Sequence, residues 1–259
     1  MNSKNLDYLK DELKYTGFGE KLYSALEQQL KQQAPQFQLQ LQLSYHNSTV
    51  DHTLHFRRSD QSDRYFFNKY EATLRSPDLD QDRSHTFYIN RNGGITTKEA
   101  YNLLQGRAVH KELLTSENLP YKAWVQLDLK AREPSGNYKV KQYHDNYGFD
   151  LDKTLQHFNI KELQDPQQKE LLLYSLRKGN QHPITALEEG YEVKRFVEAS
   201  PQFKTINIYN EQRRPVMRET IQRQEQKREP ERQQQVHTPD TTLKEAAEKR
   251  QSRRRGVSL

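Results

Sequence analysis

Two clusters in this 259-residue chain hold residue types that can do chemistry on a phosphate-bearing partner. The first is Arg253-Arg254-Arg255, with Lys249 and Arg250 just before it. Each such cation that neutralises a phosphate releases a condensed counterion, so a run of this kind binds nucleic acid without reading sequence and weakens steeply with salt. A solubilising tail end is the plainer reading of the same residues. No tyrosine or tryptophan lies after Asn210, so stacking on single-stranded bases is not available there. The second cluster is Arg64, Tyr65, Phe67 and Lys69, with Phe66 and Tyr70 among them. Aromatics interleaved with basic residues on a sheet can stack bases, as RNA-recognition sheets do. Against that, strands recruit aromatics for their cores without any ligand. Lys139, Lys141, Tyr143 and His144 pose the same pair of readings.

Other chemistries find little support. His52 and His55 are three apart on a predicted strand and so face opposite sides. His144, His157 and His182 are scattered, with no carboxylate at ligand spacing. Asp78, Asp80 and Asp82 alternate like the start of a calcium loop. Arg83 and Ile89 stand where that loop needs its glycine and its bidentate glutamate, and an acidic solvent loop is the better reading. Gly93-Gly94 lacks the spacing and lysine of a phosphate-binding loop, and there is no G-x-S-x-G elbow. The chain has no cysteine, which excludes disulfides, thiolate metal sites and cysteine nucleophiles. No catalytic, cofactor-binding or metal-binding residues are assigned, no cofactor is expected, and the chain does not read as an enzyme. Carboxylates distant in sequence can nonetheless meet in space.

The elements that must position these residues are legible in the patterning. Leu6 to Gln33 reads as one or two helices, with Leu9, Leu13 and Tyr15, then Leu22, Leu26 and Leu30, as apolar faces. Phe37 to Tyr45 alternates strictly with glutamines, an amphipathic strand. Further strands are predicted around Leu54 and Phe56, from Arg64 to Arg75 with Phe66, Tyr70, Ala72 and Leu74 on one side, and from His85 to Asn90. Thr96 and Glu99 form a capping box for a helix ending near Gly106. Val125, Leu127 and Leu129 alternate with Trp124, Gln126 and Asp128 as a half-buried strand, followed by a turn at Pro134-Ser135-Gly136-Asn137 and a return strand from Tyr138. Asp150 and Asp165-Pro166 are helix starts, the second helix carrying Leu171, Leu172, Leu173 and Leu176 up to Gly179. Tyr191 to Glu198 and Lys204 to Tyr209 are the final strands.

After Asn210 the pattern dissolves into a polar, proline-interrupted stretch that cannot bury enough surface to offset chain entropy. Of the 41 Lys and Arg, 13 fall in 211–259, against 8 of the 35 Asp and Glu. Five of the six net positive charges therefore belong to the last fifth of the chain, and the remainder is balanced. A high isoelectric point is thus no evidence for a basic folded surface. No apolar run approaches the roughly 20 residues that span a bilayer, and the charged N-terminus lacks the apolar core of a secretory signal. A cytoplasmic protein without membrane contact is expected.

Several segments carry a family signature: EAYNLLQGRAVHKEL, KAWVQLDL, YHDNYGFDLDKTL, KELQDPQQKELLLYSLRKGN and EASPQFKTINIY. Together they resemble an uncharacterised domain family carried by conjugative transposons and related mobile elements of Bacteroides-type bacteria. The resemblance covers roughly Leu6 to Asn210, most strongly Ile95 to Tyr209. It implies a bacterial cytoplasmic protein travelling with a mobile element, and it carries over no catalytic residue.

These readings predict an α+β fold: two small helix-plus-antiparallel-sheet subdomains, 1–94 and 95–210, followed by a disordered basic tail, 211–259. The leading expectation is a non-enzymatic accessory or adaptor protein of a mobile element, acting through DNA, via the tail, or through another protein of the element. A nucleic-acid-binding module using the aromatic–basic strand and the tail is the second reading, and an enzyme without a recognisable motif the third.

Overall fold

The structure, a computed structural model, describes residues 3–46, 48–77, 81–89 and 94–222. Leu6, Leu9 and Leu13 recur at helical spacing on α1 (Ser3–Tyr15), and Leu26 and Leu30 on α2 (Tyr23–Gln32). Both stripes are buried against one face of a four-stranded antiparallel meander. Its strands are β1 (Gln36–Tyr45), β2 (Ser48–Arg58), β3 (Tyr65–Leu74) and β4 (Arg83–Tyr88), adjacent in chain order. Tyr15, expected on the apolar face of α1, is exposed.

Helix α3 (Thr97–Leu104) begins with the capping box foreseen from sequence: Glu99 N–H donates to Thr96 Oγ1, and Thr96 N–H to the Glu99 carboxylate. Although it follows Gly94, its Ala100, Tyr101, Leu103 and Leu104 complete the first core, over β3 and β4. A three-stranded antiparallel sheet comes next: β5 (Val109–Leu114), β6 (Pro120–Arg132) and β7 (Tyr138–His144). Then α4 (Leu151–Gln156) and α5 (Pro166–Arg177) lead into a third sheet. Its order is β11-β10-β9-β8, built from β8 (His182–Glu188), β9 (Tyr191–Ser200), β10 (Thr205–Tyr209) and β11 (Pro215–Val216). The fold is α+β, as the patterning predicts.

Strand β6 ties the halves together. Val125 and Leu127 lie in the first core while Trp124 lies in a second, shared with Leu155, Leu172, Leu176, Ile184, Val197 and Ile208. The strand is therefore buried on both faces at its centre, not half-buried as its alternation implies. The described residues accordingly form one compact unit around two cores.

Two expectations need correction. The patterning of the third strand places Phe66 on the side of Tyr70. The pairing of β3 with β2 instead runs Phe56–Phe67 and then His55–Lys69, which leaves Asn68 as an extra, bulged residue. A bulge inverts the inward–outward alternation beyond it. Tyr65 and Phe67 therefore turn inward at 3% exposure each, while Phe66 turns out at 44%. The second correction concerns the tail. Residues 211–222 are built into the fold: Pro215 pairs with Tyr209, Val216 with Ile208, and Ile221 is wholly buried in the second core. Asn159 N–H donates to Ile221 C=O, and Phe158 bridges to Gln222. Of the predicted tail, 223–259 lies outside the described residues.

Candidate anion-binding cleft

A cleft of about 780 Å³ opens where three parts of the fold converge. Helix α3 and the residues after it contribute Lys98, Tyr101, Asn102, Gln105 and Arg107. The β1–β2 turn contributes His46 and Ser48. The end of α5 and the third sheet contribute Ser175, Asn180, Gln181, His182, Phe196 and Arg213.

Local structure holds the parts in place. The capping box starts α3 so that Lys98 falls in its first turn, where Nζ lies 5.1 Å from the Tyr45 ring centre and 4.7 Å from that of Tyr101. Those two rings stack at 4.6 Å. On the far side, α5 ends in Gly179, whose φ of +77° suits glycine. A Cβ there would meet Ala108 O at 2.8 Å and Val109 Cγ2 at 2.9 Å. That close approach brings the end of α5 against the chain leaving α3. Asn102 Nδ2 donates to Lys178 C=O at 2.6 Å and to Asn180 Oδ1 at 3.0 Å. Arg107 Nε donates to Gly179 C=O at 2.9 Å, and its Nη2 to Asn102 Oδ1 at 2.6 Å.

Arg213 is held by two contacts. Its guanidinium carbon lies 3.7 Å from the centre of the Phe196 ring, and Nη1 donates to Gln181 Oε1 at 2.6 Å. The Gln181 amide is oriented in turn, because Nε2 donates to Glu198 at 3.1 Å. Glu198 is buried and also accepts from Asn207 (3.0 Å) and the Tyr209 hydroxyl (2.6 Å). It sits behind Gln181 and does not line the cleft.

The electrostatics follow from what is missing around the lining. No aspartate or glutamate is among the lining residues. Among the described residues, Lys98, Arg107 and Arg213 take part in none of the ion pairs, whereas their neighbours do: Lys111 and Lys178 clamp the buried Glu99, at 3.0 and 2.9 Å, and Arg195 pairs with Glu188. The uncompensated charge registers on the titrating groups nearby. Burial, then Arg107 and Arg213, hold the Lys98 ammonium below the usual lysine range. Burial, then Lys98, Arg213 and Arg107, hold His46 below the usual imidazole range. Three cations within reach of one another, propped on aromatic rings, carbonyls and amides, make a site for a multiply charged anion.

The residues singled out from sequence do not form this cleft. Tyr65 and Phe67 are core residues and offer no face to a base, which removes them as nucleic-acid contacts. The main chain of Tyr65 is clasped by the Asn5 amide of α1, which donates to its carbonyl and accepts from its N–H. Arg64 is exposed beside them, and Lys69 lies on the open face of the first sheet, 3.9 Å from Glu71. The exposed ring is Phe66, opposite Arg57, which pairs with Asp60. Cations on that face have acidic neighbours; those in the cleft do not. Lys249, Arg250, Arg253, Arg254 and Arg255 lie outside the described residues. Of the scattered histidines His182 reaches the cleft, and no group of three or more His, Asp or Glu converges as a metal set among the described residues.

No protein-family model, curated protein or solved structure matches the chain. Among the described residues no helix is long and apolar enough to cross a membrane.

Proposed function

We propose that this chain is a non-enzymatic accessory protein that works by holding an anionic partner in the cleft between α3, the β1–β2 turn and the third sheet. One observation carries the reading: Lys98, Arg107 and Arg213 converge on a concave site that no carboxylate lines. Cations left without partners in a partly desolvated site repel one another, and an anion relieves that cost when it binds. The family resemblance supplies the setting, a cytoplasmic protein of a conjugative mobile element, in which the partner is nucleic acid or another protein of the element. The basic segment 249–255 has the same sign of charge as the cleft, so it favours the same anionic partner and does not neutralise the site.

The test is fluorescence anisotropy of the full-length protein with two labelled polyanions, a single-stranded oligonucleotide and polyglutamate, across a salt series. The double variant Lys98→Gln, Arg107→Gln should weaken whichever polyanion binds and should lower the slope of log affinity against log salt by about 1–2 for nucleic acid. Equal binding by the variant and the parent chain would remove the cleft from the account.

A further inference from the structure

Resting on that reading, we propose that the cleft recognises a phosphate group of a single nucleic-acid strand or nucleotide, and that Arg213 makes the specific two-point contact to it.

Three features lead to the phosphate. The first is which guanidinium edges remain open. Arginine grips an oxyanion best side-on, through Nε and Nη2 together. Among the described residues that mode occurs once already: Arg195 Nε and Nη2 donate to the two oxygens of Glu188 at 2.7 and 2.6 Å. Arg213 spends only Nη1, on Gln181, so the side-on pair has no protein acceptor among the described residues. Arg107 shows the complementary arrangement, with Nε and Nη2 fixed to Gly179 and Asn102 and Nη1 left over.

The second is charge and oxygen count. A carboxylate brings one charge and two oxygens in a plane. A phosphomonoester brings nearly two charges and three strong acceptors disposed around a tetrahedron, and two successive phosphodiesters of a strand bring two charges and four tetrahedrally placed acceptors. Three cations, two from α3 and the residues after it and one from the β10–β11 connection, suit either form of phosphate better than one carboxylate. The concave volume sets the rest of the ligand: 780 Å³ is a space roughly 9 Å across, within the usual range for small-molecule sites, and it admits a nucleotide or an extended strand but not a duplex.

The third is the backbone of Arg213. The β10–β11 connection is a turn closed by Arg213 N–H to Asn210 C=O at 3.0 Å, with Arg213 at φ +60°. A turn followed by a left-handed residue is the hairpin geometry in which glycine is favoured. Arginine is held there in a left-handed conformation that side chains with a Cβ disfavour. A side chain kept at a position that disfavours it is the pattern expected where the side chain has work to do.

The decisive experiment titrates the full-length protein calorimetrically with thymidine 5′-monophosphate, with inorganic phosphate, with an eight-nucleotide thymidine strand with and without a 5′-phosphate, and with glutarate as the carboxylate control. Each ligand is tested against the parent chain and against Arg213→Lys and Arg213→Gly. Phosphate-bearing ligands should bind and glutarate should not. Arg213→Lys, which keeps the charge but loses the fork, should weaken phosphate binding by roughly tenfold or more. Arg213→Gly should abolish binding while leaving thermal stability equal or higher, an outcome that a merely structural arginine would not produce. If the strand binds equally with and without its 5′-phosphate, the backbone is the source of the group; if the 5′-phosphate is required, the terminus is. Either result supports the proposal. Glutarate binding as well as phosphate, or an unaffected Arg213→Lys, would overturn it while leaving the anion-binding reading intact. Loss of both phosphate and carboxylate binding in the parent chain would sink that reading as well.

Discussion

The main-chain N–H of Tyr138 donates to Nδ1 of His85 at 3.2 Å, and this bond carries β4 of the first sheet onto β7 of the middle one. The geometry requires Nδ1 to be an acceptor, hence a neutral ring. Burial, and then the Arg132 charge, push the His85 pKa down to about 4. His52, buried against Phe18 and Tyr70, is held at about 4 by burial as well.

Stability should therefore fall in a defined pH window. Above the unfolded value of about 6.5 both rings are neutral in either state, and pH has no leverage through them. As pH falls from about 6.5 toward 4 the unfolded chain takes up protons that the fold refuses, and each ring costs on the order of 3 kcal/mol once the window is crossed. Urea unfolding at pH 7.5, 6.5, 5.5 and 4.5 should show the midpoint dropping mainly over the last three. His52→Phe should lose a large share of that dependence. A midpoint that stays flat to pH 4.5 would contradict the assignment.

Gly179 is a second point of leverage. Gly179→Ala adds a methyl 2.8 Å from Ala108 O and demands a left-handed alanine, so a loss of about 2–4 kcal/mol is expected. Because Arg107 is anchored on the Gly179 carbonyl, whatever folds should also bind anions less well. Chemical denaturation gives the first quantity and calorimetry the second. Gly136→Ala, where a Cβ meets nothing within 4 Å, is the control for the left-handed backbone alone.

The end of the folded body is testable by truncation. A chain ending at Gln222 keeps Ile221 in the second core and keeps β11 on β10. A chain ending at Asn210 loses both, and should be less stable by about 3 kcal/mol or more, with Ile221→Ala alone costing about 2–4 kcal/mol. Equal unfolding midpoints for the two truncations would show that 211–222 adds nothing to the fold.

That segment also shows where sequence reading reaches its limit. The caps of α3 and α5 were legible because capping is local: Asp165 accepts from the N–H groups of Gln167 and Gln168, within three residues of itself. Strand β1 was legible because its alternation is unbroken over ten residues. Strand β5, spelled VHKELL, is rich in helix formers and becomes a strand only by pairing with β6, a tertiary decision. Strand β8 carries Pro183, which argues against a central strand, and it lies at a sheet edge where proline is tolerated. The bulge at Asn68 leaves no local mark, and it inverted the assignment of Tyr65, Phe66 and Phe67. The cleft was illegible for a different reason. His46, Lys98, Arg107, His182 and Arg213 are spread over 168 positions and share no motif. Arg213 lay within a run whose low apolar content reads as tail. Its only local sign was Pro215, two residues on, at the start of a two-residue strand.

Proton linkage offers a last check that tests the cleft without changing it. His46 is held below the usual imidazole range by burial and by Lys98, Arg213 and Arg107. An anion seated among those cations cancels their field, so the bound state favours protonated His46 more than the free state does. A ligand whose own charge is fixed in this range, such as the thymidine strand without a 5′-phosphate, must then take up protons on binding at and below about pH 6.5, and its affinity must rise as pH falls from 7.5 to 5.5. At alkaline pH, Lys98 acts with the same sign, since its lowered pKa is restored when the anion arrives. Calorimetry in buffers of different ionisation enthalpy reads the uptake directly. A fraction of a proton should enter per anion at pH 6, and His46→Asn should remove most of it while leaving affinity at pH 8 nearly unchanged. Proton release on binding at pH 6 would mean that the anion sits elsewhere.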